Sequence, residues 1–164
     1  MENNENIKLI TKEGKEIEIS KKAVELSDVL KATINDYPNE VNFPIGDIDE
    51  KCAEKVKEYL LHFNGTAPAE IEKPLTQNEM KNITDEWSAS FVDKMTIEEL
   101  VNLTVAANHM GINCLLDLCC AKIASMCKDK NEEEILKQFG INEPMTEEEK
   151  KKIKEDNKWI DENL

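Results

Sequence analysis

Apolar and polar residues alternate along "IKLITKEGKEIEIS" on both sides of Gly14, Ile7 and Leu9 leading in and Ile17 and Ile19 leading out, which predicts a β-hairpin. Two short helical pieces follow, Ser20 capping "KKAVEL" and Ser27 capping "DVLKATI". A turn at "NDYPNE" then leads into the short strand "VNF", stopped by Pro44. From Asp49 the period becomes helical: Cys52, Val56, Tyr59, Leu60 and Phe63 share one face until Asn64-Gly65 ends it. Residues 1–63 thus read as a small α+β unit.

The segment "GTAPAEIEKPLTQNEMKNIT" carries two prolines, a glycine and few large apolar residues, so residues 64–85 are expected to be a mobile connection with at most one helical turn. Everything after it reads as helix. Asp85 caps "EWSASFVD"; Thr96 and Glu99 have capping-box spacing ahead of "LVNLTVAANHM"; Gly111 stops that helix. Asn113 is read as the cap of the next helix, which runs to about Lys128. A short helix at "NEEEILKQF" ends at Gly140, and Thr146 with Glu149 opens the last one through another capping box.

With 164 residues the chain makes one ordinary domain, or a small domain with a helical appendage. Its 35 acidic and 21 basic residues give a net charge of -14, which repels phosphate backbones and anionic membranes and favours a protein partner over nucleic acid. The longest apolar runs, such as "CLLDLCC", fall far short of the roughly 20 residues of a membrane span, and no secretory signal pattern opens the chain. A soluble, intracellular protein is expected. Five cysteines, odd in number and clustered, indicate reduced thiols rather than a disulfide framework. The N-x-S/T triplets starting at Asn64, Asn82 and Asn102 then read as chance.

Four of those cysteines lie in "NHMGINCLLDLCCAKIASMCK". At about 100° per residue, with Cys114 at zero, Cys119 lies near 140°, Cys120 near 240° and Cys127 near 220°, so the thiols do not converge as a tetrahedral metal site requires. A nucleophilic pair with His109 lacks the electropositive setting that activates a thiol. No metal, cofactor or catalytic group is therefore expected. Cys120 and Cys127 join Leu116 and Ile123 in an i, i+4, i+7, i+11 stripe, and small buried hydrophobes are the favoured reading. The apolar arc of this helix nonetheless spans about 180°, wider than one neighbour covers, and Leu118 falls outside it. Two packed helices, 97–110 and 131–139, would account for the width. So would a docked partner.

The last helix, "TEEEKKKIKEDNKWIDENL", offers only Ile153, Trp159, Ile160 and Leu164 as apolar contacts, too few to hold it by tertiary packing. It reads as a segment awaiting a partner, with Trp159 either an interface anchor or a tether onto its own domain.

The stretches "IKL", "VNFP", "ELVNLTVAANHMGINCLLDL" and "EEILKQFGI" followed by "MTEEEKKKIKEDNKWIDE", in this order and spacing, resemble the S-phase kinase-associated adaptor subunit of SCF ubiquitin ligases. The C-terminal block is the specific part. The resemblance implies an α+β BTB/POZ fold, a small sheet flanked by helices, with residues 1–63 and 86–128 as its two parts and residues 129–164 as F-box-binding helices. It also implies a non-catalytic adaptor that bridges F-box substrate receptors to a cullin for protein ubiquitination, without active site or cofactor, in cytoplasm and nucleus. The F-box-facing positions it implies are Leu116, Cys120, Ile123, Phe139, Ile141, Trp159 and Ile160. The cullin-facing ones are Asn108 and His109, following Ala106 and Ala107, with histidine where the family carries tyrosine. Ile160 replaces a cysteine, and Glu147 stands where some protist members carry a modifiable proline, so that modification is not expected. A competing reading is a self-associating BTB/POZ module, homodimeric through the hairpin and the 97–110 helix.

Overall fold

The computed structural model describes residues 6–141 and 145–158. The chain forms two compact units, Met1–Lys128 and Asp129–Leu164. In the first, β1 (Asn6–Ile10) and β2 (Glu16–Ser20) make the expected antiparallel hairpin, in register from Asn6 opposite Ser20 to Ile10 opposite Glu16. Alternation puts Ile7, Leu9, Ile17 and Ile19 inward, each nearly fully buried, while Lys8 and Glu16 pair outside at 2.7 Å. The strand β3 (Asn42–Pro44) joins the other edge of β1 in parallel, Leu9 beside Phe43, giving the order β2-β1-β3.

Parallel pairing needs a crossover, here carried by a 3-10 turn and α1 (Asp28–Asp36). The "KKAVEL" segment is that single 3-10 turn, Ala23–Leu26, whose first N–H donates to Ser20 Oγ at 3.3 Å. Asp49 caps α2 (Glu50–Phe63) by accepting from Cys52 N at 2.8 Å, and Asn64 ends it in the left-handed conformation. Cys52, Ala53, Val56, Tyr59 and Leu60 of α2 are buried in the core.

Residues 64–85 contain one 3-10 turn, Met80–Asn82. Met80 is buried, Ile71, Leu75 and Ile83 are half-buried against the core, and Lys73 Nζ reaches Asp117 at 2.8 Å. The helices α3 (Glu86–Asp93), α4 (Ile97–His109) and α5 (Asn113–Cys127) complete the unit. Asp85 caps α3, and Thr96 and Glu99 form the expected box on α4. Across α2 and α3 the His62 ring stacks on Trp87 at 3.7 Å, beside Tyr59, Phe63 and Phe91.

Asn113 does not cap α5. A three-residue corner, Met110-Gly111-Ile112, separates α4 from α5, and Leu116 N already bonds the Ile112 carbonyl at 2.9 Å, so the helix starts one residue earlier than expected. The freed Asn113 amide instead donates to Asp28 at 3.0 Å.

In the second unit, α6 (Glu132–Gln138) is opened by a capping box of Asn131 and Glu134, and α7 (Glu147–Asp156) by one of Thr146 and Glu149. Gly140 N donates to Lys137 O and Ile141 N to Leu136 O at 2.9 Å, the doubled bonds of a Schellman ending. Neither helix buries a side chain.

Candidate protein-docking site

Ile112, Leu115, Leu118, Cys119 and Ala121 are buried, because one side of α5 packs against α4, α3 and the Met80 turn. The opposite side carries Cys120 and Ala124, both exposed, between half-buried Leu116, Ile123 and Cys127. The wide arc read from the sequence is therefore two faces of different fate. Two expectations are corrected. Cys120 and Cys127 are not core, and Leu118, placed outside the arc, is 2% exposed. The angular pattern was right, but the core is centred near Leu118 and Leu115, about 60° from Cys114, where the tertiary neighbours approach.

The thiols follow this division. Burial pushes Cys119 up to about 12, an effect that a hydrogen bond with Thr104 only partly offsets. Burial, helped by Asp49, pushes Cys52 up to about 11. Both are neutral hydrophobes at physiological pH. Among the described residues no group of three His, Cys, Asp or Glu side chains could hold a metal ion.

A second surface forms at the end of α4. Gly111 N donates to the Asn108 carbonyl at 3.1 Å and Ile112 N to that of Ala107 at 2.8 Å, another Schellman ending, which leaves Asn108 and His109 exposed in the last turn. Ala106 and Ala107 are buried. Val105 and Val101, one and two turns back, are 65% and 44% exposed and extend this face. The His109 ring lies over the loop after β3: a Cβ on Gly46 would stand 2.9 Å from Nε2, and Gly46 has φ +70°. His109, Val105, Ile48 and Gly46 line a cleft of about 400 Å³.

The sequence reading did not single out Gly46, Val101 or Val105. Helical spacing from His109 could have found the valines, since residues four and eight positions back share its face. Nothing local could have found Gly46.

In the second unit Phe139 is half-buried and Ile141 is 51% exposed, both at the Schellman turn. Trp159 and Ile160 lie outside the described residues.

A three-stranded α+β domain followed by a separate helical unit, with apolar side chains left uncovered on α5 and α4, defines a POZ-type module with a helical extension. The chain belongs to the Skp1 family. Residues 5–65 match that family's tetramerisation domain and residues 113–160 its dimerisation domain. It is 36% identical over 156 residues to the S-phase kinase-associated protein 1 homolog of Tetrahymena thermophila, covering 95% of this chain and 94% of that one. The SCF subunit sconC of an E3 ubiquitin ligase complex in Arthroderma benhamiae is 31% identical, with 95% of each chain covered. The subunit of the same name from Aspergillus fumigatus is 30% identical over 95% of this chain and 98% of its own.

Proposed function

We propose that this protein is the non-catalytic adaptor of an SCF-type cullin-RING ubiquitin ligase, bridging F-box substrate receptors to a cullin. The observation that carries this reading is the uncovered apolar face of α5 in a chain that matches ligase subunits along 95% of its length. An adaptor holds substrate receptor and scaffold together, raising the effective concentration of substrate near the ubiquitin-charged enzyme without doing chemistry itself. Leu116, Cys120 and Ile123 supply the α5 contacts to the F-box, and Phe139, Ile141, Trp159 and Ile160 those of the C-terminal helices. Asn108 and His109 contact the cullin. The complex works in cytoplasm and nucleus.

Calorimetry with a recombinant F-box domain and a cullin N-terminal domain tests this. Ile123→Asp should weaken F-box binding by about 2 kcal/mol or more if it sits in the interface centre, and leave cullin binding unchanged. Glutamates at Asn108 and His109 should do the reverse. Absence of binding to either partner would remove the adaptor reading. Exposed Val101 and Val105 also support a second reading, a homodimer through α4, which sedimentation of the free chain would reveal.

A further inference from the structure

The connection is anchored where its sequence predicts mobility, and from residue 66 onward it lies outside both matched domains. Ile71 and Leu75 are half-buried against the core, and between them Lys73 Nζ reaches Asp117 of α5 at 2.8 Å. Ile71 borders the same cleft as Asn113, Asp117 and Leu118, so this stretch runs along one flank of α5.

That flank adjoins the uncovered face. At about 100° per residue, Asp117 lies about 60° from Cys120 and about 20° from Ala124, both exposed. The hydrogen bond to Asp117 raises Lys73 above its ordinary 10.5, and Cys120 is near enough to add to the rise. The ion pairs of α5 divide in the same way as its apolar residues. Lys122 ties the helix to Asp93 of α3 at 2.8 Å on the packed side, whereas Lys73 joins it to the connection at the border of the docking face.

We propose that Lys73 is a positioning residue for the docked F-box: its pair with Asp117 seats residues 71–75 beside α5 as a side wall that the incoming protein meets already formed. The partner rests on the adaptor reading; the seating of the wall does not. Two half-buried side chains do not by themselves hold this stretch against its backbone entropy, so the ion pair decides how much of the ordering is left for the partner to supply. An exposed pair shifts such an equilibrium by at most about five-fold.

Calorimetry follows the binding of a recombinant F-box domain to the full chain carrying Lys73→Arg, Lys73→Glu, Asp117→Lys or the charge swap Lys73→Glu/Asp117→Lys. On each free protein the 15N order parameters of residues 71–73 and 75 are recorded. The arginine variant should match the wild type. Each single reversal should lower those order parameters from about 0.85 toward about 0.6 and weaken F-box binding by about three- to five-fold. The swap keeps the net charge and should restore both.

Order parameters that stay high in the single reversals would overturn the seating role, and unchanged affinity beside lowered ones would overturn the wall. A swap that restores order but not affinity would make Lys73 or Asp117 a direct contact of the partner, and the positioning role would fall. An F-box domain that fails to bind the wild type removes the adaptor reading, and the docking role with it, while the order parameters still decide whether Lys73 seats the connection.

Discussion

The Ser27 hydroxyl donates to the Met110 carbonyl at 2.5 Å, joining the cap of α1 to the end of α4 across 83 positions of sequence. The same Oγ accepts from Leu30 N at 3.1 Å, and the residue is fully buried. One hydroxyl thus caps one helix and satisfies the other's terminal carbonyl. Ser27→Ala removes both bonds and should cost roughly 2–4 kcal/mol, read from the urea midpoint at constant slope. A loss below half of that would mean water replaces the hydroxyl at little cost.

Gly46→Ala should act on the α4 surface from a distance in sequence. Alanine at a positive φ costs about 1 kcal/mol or more, and its Cβ would push the His109 ring off the loop. The expected result is weaker binding of a cullin N-terminal domain with F-box affinity unchanged. Equal loss of both partners would show that the substitution damages the domain as a whole.

Thiol reactivity should sort the five cysteines by face. With a thiol reagent at mildly alkaline pH, exposed Cys120 reacts first, half-buried Cys114 and Cys127 follow, and Cys52 and Cys119 wait for unfolding. The last two are both covered and held protonated by burial. An F-box domain should slow Cys120 selectively. Early labelling of Cys119 would contradict the packing of α5 on α4.

Acid should loosen the capped helices. Hydrogen bonds from the Thr96 backbone and hydroxyl hold Glu99 below its ordinary 4.5, and those from Thr146 do the same for Glu149. A carboxyl whose pKa is lower folded than unfolded stabilises the fold above the unfolded value, and that contribution disappears as pH falls through the folded one. In the second unit, where neither helix buries a side chain, helicity should fall below pH 4.5. Glu149→Gln keeps the capping geometry and should flatten that pH dependence, as circular dichroism would show.

Much of the local architecture is written in short stretches. The Gly14 hairpin, the caps at Ser27, Asp49, Asp85, Thr96, Asn131 and Thr146, and the stops at Asn64, Gly111 and Gly140 each depend on residues within a few positions of one another. Hydrogen bonds over that range form wherever the chain is helical or turned, so the sequence by itself determined them. It also determined that α5 carries more apolar surface than one neighbour can cover.

Only the tertiary structure decided which half of that surface is core. Periodicity gives angles around a helix axis, and the direction from which α4 and α3 approach depends on packing summed over the whole domain. For that reason Leu118 is buried and Cys120 is exposed. The parallel seat of β3 beside β1, the Lys73–Asp117 pair, the loss of Asn113 as a cap and the contact of Gly46 with His109 have the same origin. Each joins groups far apart in the chain, and no local pattern encodes where a distant neighbour will lie.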